Sequence, residues 1–227
     1  MSEAFIELRG VRKAYNEGLP NQFWAVDGVD LTLERGRVTL LTGPSGSGKT
    51  TLLTLLGCLA RPTEGRVRVA GQDVSSLPER FLTEQRRHNF GFVFQQFNLI
   101  RGLSVLDNVM LPAFPLAPPH GALRARALQL LGELGLEHRS DARVEWLSGG
   151  EAQRAAIARA LINDPPVVIA DEPTANLDTH LSKAFLAIVE RLKDEGRTVI
   201  LSSHDALVAE AAIVDRIVSL RDGKVVG

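Results

Sequence analysis

Cysteine is almost missing from this chain, and so is any bias of charge. The single cysteine, Cys58, excludes an internal disulfide. Its apolar surroundings make it a small buried filler, expected on the inner side of a helix. Lys and Arg number 26 against 27 Asp and Glu, a formal net charge of −1. No global basic field therefore draws the chain to anionic lipid or to nucleic acid, and no nucleic acid is expected among its partners. No apolar run approaches the roughly 18–20 residues needed to span a bilayer. The segment Met1-Ser2-Glu3-Ala4-Phe5 has neither the basic nor the apolar region of a signal peptide. These absences lead to the expectation of a soluble, cytoplasmic chain, without repeats or low-complexity tracts. Its 227 residues, 44% of them apolar, suffice for a substantial core.

What is present is most concentrated in Gly43-Pro44-Ser45-Gly46-Ser47-Gly48-Lys49-Thr50, followed by Thr51. The apolar run Val38 to Leu41 ahead of it reads as a buried strand, and Thr51 to Leu56 after it as a helix. Strand, glycine-rich loop and helix in that order form the setting of a phosphate-binding loop. Glycines let successive backbone N–H groups face the phosphates, Lys49 places a charge on the β- and γ-phosphates, and the Thr50 hydroxyl can ligate Mg²⁺. A second signal is Val167-Val168-Ile169-Ala170-Asp171-Glu172, a buried strand ending in two acids. Asp171 is placed to hold Mg²⁺ beside the loop. Glu172, on the alternate side of the strand, is placed to face a water attacking the γ-phosphate. A third is Leu147-Ser148-Gly149-Gly150-Glu151. Ser148 and Glu151 have capping-box spacing at a helix start. Two glycines in a first turn lower helix stability, which makes sense if phosphate approaches that backbone closely.

Alternating segments at Phe5–Leu8 and Val29–Leu33, and Arg66–Val69 after a turn at Pro62-Thr63-Glu64-Gly65, read as strands. So do Gly91–Phe94, Val167–Ala170, Thr198–Leu201 and Ile213–Leu220, with a hairpin turn at Asp222-Gly223. Helices are predicted at Ser104–Leu111, Ala122–Leu134, from about Ser148, and at Thr179–Glu195. The sequence thus reads as an α/β nucleotide-binding core, about residues 1–94 and 162–227, interrupted by a helical insertion at about 95–161.

Together these motifs make the chain resemble the nucleotide-binding domain of an ABC transporter, from Phe5 to the C-terminus. The resemblance implies a RecA-like P-loop NTPase core with an N-terminal antiparallel β-subdomain and an inserted α-helical subdomain. It implies that Tyr15, the only tyrosine, stacks on adenine, and that Gln95 is the Q-loop glutamine reaching Mg²⁺ and the attacking water. Leu147 to Glu151 then corresponds to the LSGGQ signature, with Glu in the last position. Ala175-Asn176-Leu177-Asp178 matches the D-loop, which brings in Asp178. His204, in Ser202-Ser203-His204-Asp205, matches the switch histidine and is expected on the γ-phosphate. The other histidines, His88, His120, His138 and His180, are read as surface or packing residues.

A finer likeness, to the lipoprotein-releasing and macrolide-exporter branch, rests on Gly57-Cys58-Leu59, on Pro62 to Gly65, on Gly91 to Leu99, on Leu106-Asp107-Asn108-Val109 and on Leu111-Pro112. Cell-division and antimicrobial-peptide-resistance ATPases share much of it. The implied activity is Mg²⁺-dependent ATP hydrolysis, with Glu172 as general base and two chains sandwiching two ATP head to tail. The signature would close the partner's site. The implied partners are a second ATPase subunit and a membrane permease bearing an extracytoplasmic domain, placing the chain on the inner face of the cell membrane. Phe97 to Ile100, continuing to Leu103 and Leu106, reads either as the groove for a permease helix or as core of the insertion. A force-transmitting complex that moves no substrate, or a soluble ATPase working on ribosomes or DNA, are the alternatives.

Overall fold

The computed structural model describes residues 4–175 and 177–226, so Asn176 of the D-loop match lies outside the described residues. Two sheets organise it. The first is antiparallel, in the order β2-β1-β4-β5, from β1 (Ala4–Tyr15), β2 (Phe23–Glu34), β4 (Glu64–Val69) and β5 (Gln72–Asp73). Val29, Leu31 and Leu33 of β2 are buried while their neighbours face out, the period-two pattern of a half-covered strand. Both β1 and β2 extend well beyond the short alternating cores visible in the sequence. Their ladder continues through irregular register to pair Tyr15 with Phe23, which brings two aromatic residues together at the sheet's end.

The second sheet has the order β10-β9-β3-β8-β7-β6. Its members are β3 (Val38–Thr42), β6 (Phe90–Val93), β7 (Val167–Asp171), β8 (Thr198–Ser202), β9 (Arg216–Arg221) and β10 (Lys224–Val226). All neighbours pair in parallel except β10 with β9. Strands β3, β7 and β8 are buried on both faces, which is why they read as unbroken apolar runs. Alternate residues feed two cores. Leu40, Val168, Ala170, Val199 and Leu201 join one, and Leu41, Val167, Ile169 and Ile200 join the other.

Helix α1 (Lys49–Leu56) packs in the second core. Helices α3 (Val105–Met110), α4 (His120–Glu133), α5 (Gly149–Leu161) and α6 (Thr179–Asp194) supply the first. Two helices escape a reading by apolar period. One is α2 (Glu79–Asn89), whose only buried residue is Leu82 and which is laced by Arg86–Glu79 and Arg87–Glu84 pairs. The other is the four-residue α7 (Ala206–Ala209).

Three local expectations need correction. Strand β9 starts at Arg216 rather than Ile213: Asp215 turns its carboxylate back to accept from the Val38 N–H at 2.8 Å and to meet Lys193 and Arg37. Cys58 is buried but not helical. It follows the Gly57 cap at φ 58°, and burial pushes its thiol up to about 12. The choice between groove and core does not separate: Leu106 is core of the insertion, and Phe97 and Leu99 pack against that core while lining a groove of about 340 Å³ with Gln96, Arg101, Val144, Glu145 and Ala152.

Candidate active site

The carboxyl ends of four adjacent parallel strands converge, and each delivers one part of the site. Past β3 comes the Gly43–Thr50 loop, past β6 comes Gln95, past β7 comes Glu172, and past β8 comes His204. This is where an open α/β sheet leaves a crevice for a ligand. Gly43 to Thr51, Gln95, Glu172 and His204 line one cleft of about 580 Å³ together with Tyr15, Phe23 and Ala25.

The loop's glycines have distinct physical reasons. At Gly43 (φ 144°) a β-carbon would stand 2.2 Å from the Leu220 carbonyl oxygen. At Gly48 (φ 102°) it would stand 2.2 Å from that of Ala25. Both glycines are therefore required by neighbouring backbone of this fold, in addition to any phosphate. The loop is braced from outside, since the Gly223 N–H donates to the Ser47 carbonyl at 3.1 Å and the Asp27 N–H donates to the Gly223 carbonyl at 2.8 Å. These supports act through main-chain atoms, so no residue type in the sequence marks them.

Helix α1 opens with Gly48 at its N-cap and no side-chain cap, whereas α3, α5 and α6 are capped by Ser104, Ser148 and Asp178. Its first N–H groups and its positive dipole end are thus available to an anion. The Ser47 hydroxyl is buried without a partner inside the loop. Lys49 is mostly buried, and its ammonium donates to the Gly43 and Pro44 carbonyls at 2.8 and 3.2 Å.

Glu172 lies beyond the end of β7 with φ 46°. Its direction therefore comes from a left-handed turn, not from strand alternation. The turn carries its carboxylate between Lys49 Nζ, 3.7 Å from Oε1, and His204 Nδ1, 3.0 Å from Oε2. His204 thus meets Glu172 itself, a contact not foreseen in the sequence. Asp171 stays on the strand and shares the wall of a small cavity with Thr50 and Phe94. In the same cleft, the rings of Tyr15 and Phe23 stack with centroids 5.7 Å apart and planes 28° apart. Phe23, 53% exposed, is a site residue that sequence reading missed. Its only signal is the register of β1 with β2.

Ser148, Gly149, Gly150 and Glu151 are not among the cleft's walls. They form a capping box: the Glu151 N–H donates to Ser148 Oγ, and the Glu151 carboxylate accepts from the Ser148 N–H at 2.8 Å. That backbone donor, the Arg139 guanidinium at 2.9 Å and the Ser148 hydroxyl hold the Glu151 carboxyl down at about 2. The two glycines differ. A β-carbon on Gly150 would press on Leu181 at 2.7 Å, while one on Gly149 would meet nothing within 4 Å. Gly150 thus packs against the Leu181 side chain, whereas Gly149 has no such neighbour within its own chain. Asp178 caps α6 by accepting from the Leu181 N–H at 2.9 Å. Gln153, buried on α5, donates to the Pro173 carbonyl at 2.7 Å and ties the signature helix to the turn carrying Glu172. His88, His120, His138 and His180 are all on the surface.

The family profile described as ABC transporter matches residues 26–175. This chain belongs to the ABC transporter family. The matched residues hold the phosphate loop, Gln95, the signature and Glu172; Tyr15 and His204 lie on either side of them. Full-length similarity covers those as well. The macrolide export ATP-binding/permease protein MacB of Rhodopseudomonas palustris is 47% identical over 226 residues, which is 100% of this chain and 34% of that protein. A MacB of Aeromonas hydrophila is 45% identical over the same share of this chain and 34% of its own. The chain thus spans about a third of the length of these relatives. Among solved structures, the dimeric ATP-binding cassette MJ0796 in a post-hydrolysis state with ADP and Pi superposes with a TM-score of 0.89. It is 40% identical, covering 97% of this chain and 96% of that one. CbiO1 from Clostridium perfringens gives a TM-score of 0.85 at 29% identity, covering 99% and 88%.

Proposed function

We propose that the cassette hydrolyses Mg²⁺-ATP in this cleft to energise a membrane export or extrusion complex of the macrolide-efflux or lipoprotein-release type. One observation carries the catalytic part: the Glu172 carboxylate is held between Lys49 and His204 in a cleft that the glycine-rich loop and an aromatic pair also line. The base of ATP stacks on Tyr15, and the triphosphate runs to the Gly43–Thr51 loop. There backbone N–H groups, Lys49 and the α1 N-terminus compensate its charge. Glu172 accepts the proton of the attacking water, and His204 keeps that carboxylate oriented and reaches the γ-phosphate. Positioning and charge stabilisation supply most of the acceleration in phosphoryl transfer.

The donors suit Mg²⁺. Thr50 hydroxyl, Asp171 carboxylate and Gln95 amide are hard oxygen ligands, too few for an all-protein cage. No cluster of three or more His, Cys, Asp or Glu capable of holding a metal occurs among the described residues. Mg²⁺ commonly takes one or two protein ligands and completes its shell with phosphates and water. When bound, it neutralises charge on the β- and γ-phosphate oxygens.

The signature does not line its own cleft, and a β-carbon on Gly149 would meet nothing within 4 Å, which fits closure of a second copy's site in a head-to-tail homodimer. No described helix is long and apolar enough to cross a membrane. In this reading export runs through a permease, on the same polypeptide or another, that bears an extracytoplasmic domain, in keeping with the ATP-binding/permease proteins the chain is similar to. The cassette works at the cytoplasmic face, and the Phe97–Leu99 groove receives a permease helix. Co-expression with the permease tests this. The expected result is a membrane-bound complex whose ATPase is lost with Glu172→Gln. An active cassette that neither joins the permease nor responds to it would overturn the transport reading.

A further inference from the structure

Strand β8 reads Thr-Val-Ile-Leu-Ser, and its last residue, Ser202, has no solvent exposure. A buried hydroxyl is costly unless it is hydrogen-bonded. Here it is bonded twice, to the last residue of the neighbouring strand and to the residue just past its end. Ser202 lies opposite Asp171 in the parallel register. Its Oγ donates to Asp171 Oδ1 at 2.6 Å and accepts from the Glu172 N–H at 2.9 Å. Its own carbonyl accepts from the same N–H at 3.2 Å. The polarity of this bridge follows from its members. A backbone N–H can only donate, so Oγ is the acceptor there, and its one hydrogen is directed to the carboxylate.

We infer that Ser202 is a positioning residue for hydrolysis, its hydroxyl locking the Asp171 carboxylate and the Glu172 backbone into one rigid unit. The inference rests on the reading of Asp171 as a Mg²⁺ ligand and Glu172 as the base. On the Asp171 side, the bond occupies Oδ1 and leaves Oδ2 for a cation. On the Glu172 side, it holds a residue with a β-carbon in the left-handed region, φ 46°, which such residues adopt only when their surroundings enforce it. That turn is what sends the Glu172 carboxylate between Lys49 and His204 rather than along the strand. One hydroxyl thus couples the place of the cation to the place of the base. Groups that orient metal ligands from behind commonly change metal affinity or activity by about 10–100-fold when removed.

Threonine and valine at position 202 separate hydroxyl from volume, because both are β-branched, strand-compatible and of similar size. Two quantities are measured on each variant. One is Mn²⁺ affinity with a non-hydrolysable ATP analogue, read from the electron paramagnetic resonance of free Mn²⁺. The other is kcat and KM for Mg²⁺-ATP. Ser202→Thr is expected within about twofold of wild type. Ser202→Val is expected to lose about 10-fold or more in Mn²⁺ affinity and kcat, with KM for ATP nearly unchanged. Val equal to wild type in both, or Thr and Val equally impaired, overturns the inference. If the valine variant does not fold, Ser202→Ala takes its place under the same criteria. Asp171→Asn is measured alongside. If it leaves Mn²⁺ affinity intact, the assignment of Asp171 has failed; if it weakens Mn²⁺ while Ser202→Val does not, only the role of Ser202 has failed.

Discussion

His204 Nδ1 stands 3.0 Å from Glu172 Oε2, while Lys49 Nζ stands 3.7 Å from the other oxygen of the same carboxylate. The carboxylate is thus flanked by an ammonium nitrogen on one side and an imidazole nitrogen on the other. Removing the carboxylate's basicity and removing its exposed partner should have different consequences. Glu172→Gln keeps the shape and should keep ATP binding, but should slow hydrolysis by about 10²–10⁴-fold, as expected for loss of acid–base catalysis. His204→Ala should lower kcat with a smaller effect on ATP affinity. Steady-state turnover and equilibrium binding of a fluorescent ATP analogue check both. Undiminished turnover in Glu172→Gln would remove Glu172 from the role of base.

The Tyr15–Phe23 stack makes a second prediction, on affinity rather than rate. Tyr15→Ala should raise the ATP dissociation constant and leave saturated turnover nearly intact, and Tyr15→Phe or Trp should be tolerated, because any π-face serves. Phe23 is more than half exposed, so Phe23→Ala should leave the melting temperature close to wild type. It should nonetheless weaken ATP by freeing the Tyr15 ring, and Phe23→Tyr should restore binding. Titration of both alanine variants decides this. Wild-type affinity in Tyr15→Ala would mean that another residue holds the base.

The contrast between these two aromatics shows what a sequence makes legible. Tyr15 is found by its place ahead of the phosphate loop, and the loop, the Asp171-Glu172 strand end and the signature by residue type and spacing. The sheet core is equally visible, because strands buried on both faces must be apolar throughout. Phe23 and Ser202 become site residues only through strand register, a long-range property that local pattern does not carry. Gly223 and Ala25 act through main-chain atoms, and α2 is held by ion pairs with one buried side chain. The direction of Glu172 is not legible in the pattern, because a left-handed turn and not the pleat sets it.

Acid should reveal how the signature is anchored. The Glu151 carboxyl is held at about 2, against an ordinary 4.5, by the Ser148 N–H, Arg139 and the Ser148 hydroxyl. Folding therefore favours the ionised form. The stability this adds is complete above about pH 4.5 and is lost as pH falls toward about 2. Glu151→Gln keeps an acceptor for the Ser148 N–H but gives up the charge facing Arg139. The wild type should melt higher than the glutamine variant at neutral pH, and the gap should close between about pH 4.5 and 2. Thermal melts across that range test it. A gap independent of pH would show that the charge adds nothing.

The last prediction concerns whether Gly149 acts on its own cleft or on a partner's. A β-carbon at Gly149 meets nothing within 4 Å, and aspartate suits the first turn of a helix, where negative charge is favourable. Gly149→Asp should therefore leave the fold intact while placing bulk and negative charge where phosphate must sit. Lys49→Ala removes the cation from the loop. Each variant alone should be inactive. In a mixed dimer with composite sites, both lesions fall on one site, and the other pairs an intact loop with an intact signature. Mixing the two variants should then recover part of the ATPase activity, limited by the heterodimer fraction and by coupling between sites. Closure within one chain predicts no recovery, because every chain carries its own defect. Heterodimers shown to form without recovery would leave either closure within one chain or a requirement that both sites fire together. Adding Gly149→Asp to Glu172→Gln separates these two. If the signature completes the partner's site, the Glu172→Gln chain should accumulate as an ATP-locked dimer and the added aspartate should abolish it; if that dimer persists, Gly149 does not face the partner's phosphate.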